Sequence, residues 1–126
     1  MCGICGLVSP SADAPSLEQA GRDMLATLMH RGPDGAGLLV DLPLVMGHAR
    51  LAVIDPEGGE QPLSSADGRY WISFNGEIYN YRELRDELAS RGCLFRTRSD
   101  TEVLLHALAV WGTECFARLN GQWACA

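Results

Sequence analysis

The sequence predicts an α+β domain. Two observations carry this reading. Short apolar or β-prone runs are each closed by Gly, Pro, Asn or Asp, and three other stretches have the apolar spacing of a helix. The chain has 126 residues, which fits one domain able to bury roughly two-thirds of its unfolded surface.

Gly3 to Val8 reads as a buried first strand ended by Ser9-Pro10. A polar turn runs to Pro15. Ser16 is the expected cap of a helix from Leu17 to about Met29, with Leu17, Gly21, Met24, Leu25 and Leu28 on one face. His30 to Gly37 is dense in turn formers and fits a tight helix-to-strand connection better than a loop packed near a ligand. Leu38-Leu39-Val40 and Leu44-Val45-Met46 read as strands joined at Asp41-Leu42-Pro43. A run from His48 to Ile54 continues or follows, and Asp55-Pro56-Glu57-Gly58-Gly59 closes it. Arg50 lies inside that apolar run. A partly buried Arg demands an anionic partner, and guanidinium suits bidentate carboxylate recognition; the partner is either internal or bound.

Gln61-Pro62-Leu63 and Ser64 to Gly68 form a loop and turn. Tyr70-Trp71-Ile72-Ser73-Phe74 is a β-prone run expected to stop at Asn75-Gly76. These two residues are placed at an irregular strand-to-helix turn, where an amide side chain and a backbone N–H can point outward together. Asn80 caps the next expected helix, Tyr81 to about Arg91, and Gly92 stops it. Leu94-Phe95-Arg96 reads as a short strand. Ser99-Asp100-Thr101-Glu102 has capping-box spacing ahead of a helix from Thr101 to Trp111, ended by Gly112. A helical turn spans Cys115 to Leu119, Asn120-Gly121 is a turn, and Gln122 to Ala126 begins an apolar strand. A strand in that position either pairs with a strand already present or belongs to a fragment.

Composition narrows the function. Apolar residues make up 47% and charged residues 21%, the range of a folded globular chain. A net charge of −6 argues against a nucleic-acid or anionic-membrane surface. The five cysteines, odd in number and irregular in spacing, do not form a disulfide framework, so a reducing, cytoplasmic setting is expected. His30, His48 and His106 lack zinc-ligand spacing to the cysteines, and no metal is expected. The N-terminus lacks a signal-peptide pattern, and no apolar run approaches the roughly 18 residues of a membrane span.

The chemistry concentrates in Met1-Cys2-Gly3-Ile4-Cys5-Gly6. Trimming of Met1 before the small Cys2 leaves a thiol and a free α-amine on one residue. Such groups ordinarily titrate near about 8.5 and about 8, close enough to exchange a proton near neutrality. A nucleophile with its own amine base is a known device. A Cys2/Cys5 redox or metal pair and a plain hydrophobic strand are the other readings of the hexapeptide.

Several pieces occur together in order: Met1-Cys2-Gly3-Ile4, Arg31-Gly32-Pro33-Asp34-Gly35, Gly47-His48-Ala49-Arg50-Leu51 with Ile54-Asp55, Gln61-Pro62, Phe74-Asn75-Gly76-Glu77-Ile78-Tyr79-Asn80-Tyr81, Ser99-Asp100-Thr101-Glu102 and Leu119-Asn120-Gly121. Each is weak alone. The ordered set resembles the class II, N-terminal-nucleophile glutamine amidotransferase domain, most closely that of the glutamine-hydrolysing asparagine synthetases, over essentially the whole chain.

The resemblance implies a four-layer αββα sandwich of two antiparallel sheets. It implies that Cys2 attacks the glutamine carboxamide, with its α-amine as base and then acid. Asn75 and the Gly76 N–H hold the oxyanion. Arg50 binds the substrate α-carboxylate, and Glu77 and Asp100 its α-ammonium. Cys5 is a packing residue. The glutaminase step needs no cofactor; ATP and Mg belong to a synthetase domain that residues 1–126 do not include. The expected partners are glutamine and a synthetase domain or subunit, with a homodimer one possible assembly. The resemblance also implies further strands after Leu119-Asn120-Gly121, so the domain is expected to be truncated at its C-terminus. A catalytically incomplete binding module and an amidotransferase with an acceptor other than aspartate remain the alternatives.

Overall fold

In a computed structural model of the chain, residues 1–52 and 58–126 are described. The first sheet forms around a hairpin. Strand β2 (Gly35–Asp41) and strand β3 (Leu44–Arg50) pair in antiparallel register from Gly35 opposite Arg50 to Asp41 opposite Leu44. Strand β1 (Gly3–Val8) pairs with the other side of β3, giving the order β1-β3-β2. Of the sequence run expected to reach Ile54, the part to Arg50 is strand and Leu51 and Ala52 are not. Val53, Ile54 and the Asp55-Pro56-Glu57 turn lie outside the described residues.

Period-two alternation sorts β3 into two faces. Val45 and Gly47 face helix α1 (Ala14–Leu28), whose Gly21 lies against Val45 and whose Leu25 lies against Gly47. Met46, His48 and Arg50 point the other way. Leu17, Leu25, Val45 and Ala49 are buried in the first core layer. Helix α1 begins earlier than expected. Asp13, not Ser16, is its cap, with Oδ1 accepting the Ser16 N–H at 2.9 Å. Pro15 is no obstacle in the first turn, where a helix N–H has no intrahelical acceptor.

The second half builds the opposing layers. Strand β4 (Leu63–Ser64) and strand β5 (Trp71–Ile72) form a small hairpin. After Ser73, strand β6 (Phe74–Ile78) pairs antiparallel with strand β7 (Gly121–Cys125). The chain therefore does not turn at Asn75-Gly76; it continues as strand. β7 passes so close that a Cβ at Gly76 would lie 2.3 Å from the Gln122 carbonyl oxygen, so glycine is required there for proximity, not for a turn.

Helix α2 (Tyr81–Ser90) and helix α3 (Asp100–Trp111) cover this sheet. Ile72, Phe74, Ile78, Leu84, Leu88, Val103 and Leu104 form the core between them. Burial of each such aliphatic side chain is worth roughly 1.5–3 kcal/mol. The layers run α1, first sheet, β6–β7, then α2 and α3: an αββα sandwich. His48 joins the two sheets, its Nδ1 lying 3.0 Å from Ser73 Oγ.

Three local expectations change. Asn80 makes no side-chain cap on α2. Its amide bonds the Arg118 carbonyl at 3.0 Å and accepts the Asn120 N–H at 2.9 Å, tying α2 to the start of β7. Residues 94–96 form no strand. The Arg96 and Thr97 amides turn inward to the buried Glu102 carboxylate, at 2.9 and 2.7 Å. Ser99 caps α3 by accepting the Glu102 N–H, but the Glu102 side chain serves this loop instead of returning to Ser99.

Candidate active site

The two sheets leave a cleft of about 420 Å³ at one end, lined by Cys2, Arg50, Asn75, Gly76, Glu77 and Asp100 among others. All six candidate site residues thus meet at one place, from four elements far apart in sequence. Their chemistry is a thiol, amide and backbone donors, one cation and two carboxylates.

Alternation in β1 accounts for Cys2. A Cβ at Gly3 would touch Leu28, so Gly3 faces α1, and Cys5 lies against Gly47 on the same face. Cys2 points the other way. In the register of β1 and β3 it falls beside Arg50, since Gly3 is opposite Ala49. Met1 precedes it at the mouth of the cleft, 76% exposed. The Leu51 N–H donates to Cys2 Sγ at 3.3 Å, and the thiol donates to the Leu51 carbonyl at 3.5 Å. The alternating faces also dispose of the Cys2/Cys5 pair. Three residues of extended chain span about 10 Å, beyond the roughly 7 Å limit between bridged Cα atoms.

The loop 30–35 holds this nucleophile. Arg31 Nε donates to the Cys2 carbonyl at 3.1 Å. Asp34 accepts the Ala52 N–H at 2.9 Å, and its own N–H donates to the Arg50 carbonyl at 3.0 Å. Gly32 allows the approach: a Cβ there would lie 2.3 Å from the Ala49 carbonyl. The loop is thus a tight connection that also braces the backbone of Cys2 and Arg50 from behind the cleft lining. Sequence reasoning had the turn formers but assigned no role to Arg31 or Asp34. The available signal was a cation and an anion placed among Gly32, Pro33 and Gly35.

Strand β6 supplies the opposite wall. Phe74 and Ile78 enter the helix-side core, which leaves Asn75 and Glu77 facing the cleft. The edge matters more than the face. Ser73 and Ala126 exchange both backbone hydrogen bonds at 2.9 Å, and Tyr79 N–H bonds Asn120 at 2.7 Å. Gly76, opposite Trp123, therefore falls at a position whose N–H points away from β7. On that outer edge the Phe74 N–H is taken by Gln61 Oε1 at 2.6 Å and the Ile78 N–H by Asp100 Oδ2 at 3.0 Å. Among the described residues the Gly76 N–H between them has no partner, and neither has the Asn75 amide.

The electrostatics divide the cleft. Burial pushes the Asp100 carboxyl above its usual range; the Ile78 and Thr101 amides oppose this and Glu77 adds to it. His48 is held neutral, its pKa lowered to about 4 by burial first and then by the Arg50 charge. The positive end lies at Arg50 on β3 and the negative end at Glu77 and Asp100. Such a cleft can orient a zwitterion with a carbonyl group at the thiol. Among the described residues no cluster of three or more His, Cys, Asp or Glu is placed to hold a metal. None of the described helices is long and apolar enough to cross a membrane.

Comparison with known proteins agrees with this geometry. A family described as a glutamine amidotransferase domain matches residues 1–126. The chain is 45% identical over 126 residues to the glutamine-hydrolysing asparagine synthetase 1 of Bacillus subtilis, covering 98% of this chain and 20% of that protein. It is 40% identical over 121 residues to the asparagine synthetase 1 of Arabidopsis thaliana, covering 96% and 20%. It therefore spans about one-fifth of the length of the curated relatives it matches. Among solved structures, an allosteric regulatory enzyme of purine biosynthesis superimposes with a TM-score of 0.78 at 23% identity, covering 99% of this chain and 34% of the other. The glutamine phosphoribosylpyrophosphate amidotransferase of B. subtilis superimposes with a TM-score of 0.68 at 27% identity, covering 98% and 34%.

Proposed function

Because the chain belongs to the glutamine amidotransferase domain family, we propose that it carries the glutamine-hydrolysing site of a larger amidating enzyme. Removal of Met1 frees the Cys2 α-amine at the cleft. The amine takes the thiol proton, directly or through a water, and the thiolate attacks the substrate carboxamide carbon. The carbonyl oxygen becomes an oxyanion held by the Asn75 amide and the Gly76 N–H. Donors of this kind are worth about 2.7–4 kcal/mol each in the transition state. The α-ammonium of Cys2 then protonates the departing nitrogen, and ammonia leaves as the C–N bond breaks. Water hydrolyses the thioester, returning the thiol and releasing glutamate.

Arg50 binds the α-carboxylate of glutamine, and Glu77 and Asp100 its α-ammonium. The observation that carries this reading is the unpartnered Gly76 N–H, set between two N–H groups that side chains already occupy. Hydrolysis itself needs no metal or cofactor. The ammonia passes to an ATP- and Mg-dependent synthetase domain or subunit. The relatives are asparagine synthetases, so aspartate is the acceptor we assign.

Ammonia release from glutamine by the full chain tests the reading. Activity that disappears in Cys2→Ala supports it. A chain that binds glutamine but releases no ammonia, or a Cys2→Ala variant as active as its parent, overturns it.

A further inference from the structure

Gln61 lines the cleft, and its side chain bonds Phe74 and Thr101 on the wall that carries Asn75, Gly76 and Asp100. Its backbone is set against the first sheet: a Cβ on Gly37 of β2 would lie 1.9 Å from the Gln61 carbonyl oxygen, so only glycine admits this contact. Its side chain reaches the other layers. Oε1 accepts the Phe74 N–H of β6 at 2.6 Å, and Nε2 donates to Thr101 Oγ1, one residue after Asp100, at 3.2 Å. The orientation of the amide is fixed by its partners, since a backbone N–H can only donate and must meet the oxygen.

We propose that Gln61 is a positioning residue for glutamine hydrolysis, setting the distance between the sheet that carries Cys2 and the strand that carries the Gly76 N–H. This rests on the reading of Gly76 as an oxyanion donor. A glutamine side chain suits the task. It satisfies a backbone donor and a hydroxyl acceptor at once, and its own main chain is docked on β2. Phe74 and Gly76 are two residues apart on the same strand edge, so displacement at one carries to the other. A misplacement of about 1 Å at a reacting centre can cost about 100-fold in rate. A side chain that only filled space would not select the tetrahedral state over bound ground states.

The test is Gln61→Met in the full chain, which keeps length and loses both hydrogen bonds. Three quantities are measured: kcat for glutamine hydrolysis, the affinity for L-glutamate, and the affinity for glutamate γ-semialdehyde. The Cys2 sulfur adds to the carbonyl carbon of the semialdehyde: a C–S bond forms and the C=O π bond breaks. The thiol proton passes to the Cys2 α-amine or on to the new oxygen, and that oxygen occupies the oxyanion position. The proposal expects kcat and semialdehyde affinity to fall together, by about 10- to 100-fold, while glutamate binds as before. Unchanged kcat and semialdehyde affinity overturn it. Equal losses for glutamate and semialdehyde also overturn it, because they mark collapse of the whole cleft. Should Gln61→Met not fold, Thr101→Val removes one of the two contacts, and the same split is required of it. An unaltered chain that binds the semialdehyde no tighter than glutamate overturns the oxyanion assignment itself, and the role of Gln61 with it.

Discussion

The peptide of Leu51 meets the Cys2 thiol twice, with its N–H 3.3 Å from Sγ and its carbonyl oxygen 3.5 Å away. The two contacts behave differently. The carbonyl accepts only from a protonated thiol, whereas the N–H still donates when the proton has gone. Both come from main chain, so no side chain at position 51 removes them. Holding Cys2 from the other side is Arg31, which can be replaced.

Arg31→Leu deletes the donor to the Cys2 carbonyl. The expected result is a fall in kcat of about tenfold or more, since a charge-assisted hydrogen bond is worth about 1.5–3 kcal/mol, with a smaller loss in Arg31→Lys. Steady-state ammonia release measures both.

Cys5 provides the contrast within the same strand. Its sulfur lies under α1, and burial pushes the thiol up against a smaller opposing effect of the Gly47 backbone. Cys5→Ala is expected to keep glutaminase activity, and peptide mapping after mild oxidation is expected to find no Cys2–Cys5 disulfide.

Asn75 and Gly76 separate chemistry from packing. Asn75→Ala is expected to lower kcat by about 10²–10³ with little effect on glutamate binding. Gly76→Ala forces a methyl group to within 2.3 Å of the Gln122 carbonyl. It is expected to cost about 1–3 kcal/mol, a fall in Tm of roughly 5–20 °C by thermal unfolding.

The Asp100 carboxylate sits in an electrostatically unfavourable place. Its folded pKa is raised, chiefly by burial, so the fold disfavours the carboxylate. The sign follows: the native state binds more protons than the unfolded chain just above the ordinary Asp range, and stability falls as pH rises through that window. Asp100→Asn keeps an acceptor for Ile78 and loses the charge. It is expected to unfold at a higher temperature than the parent at pH 7, with the advantage closing at low pH, while glutamine affinity drops. Stability given up at a binding site is a common trade.

His48 acts in the opposite direction. Its pKa is about 4 in the fold against an ordinary 6.5, so the unfolded chain takes up the proton first. The stability this neutral ring allows is fully present above pH 6.5 and is lost as pH falls towards 4. The loss is about 1.4 kcal/mol per unit, roughly 3 kcal/mol across the window. Denaturant unfolding at several pH values is expected to flatten in that window for His48→Gln.

Much of this was readable from residue types. β1, α2 and α3 follow from apolar spacing, which also places Arg50 in a strand and Asp100 at a helix start. The six candidate site residues, in contrast, are named as a set only by the family resemblance. What was not readable depends on neighbours distant in sequence. Asn75-Gly76 looks like a turn by local propensity, but β7, 45 residues later, makes it strand, since Asn75 pairs with Ala124 and Gly76 with Trp123. Residues 94–96 have strand propensity, yet the buried Glu102 carboxylate draws their amides inward. Arg31 and Gln61 bond across 29 and 13 residues, to Cys2 and Phe74, so no local pattern announces either contact. The Gly76 N–H is a candidate donor only because the β6–β7 register turns it away from its partner strand.

The central claim is that Cys2, with its α-amine exposed, is the nucleophile. Mass spectrometry of the active chain, before and after reaction with a glutamine-mimicking electrophile, tests it most directly. The account expects the mass of the chain without Met1, then one adduct, mapped to Cys2. A fully active chain that retains Met1, or inactivation with the adduct on another residue, contradicts it.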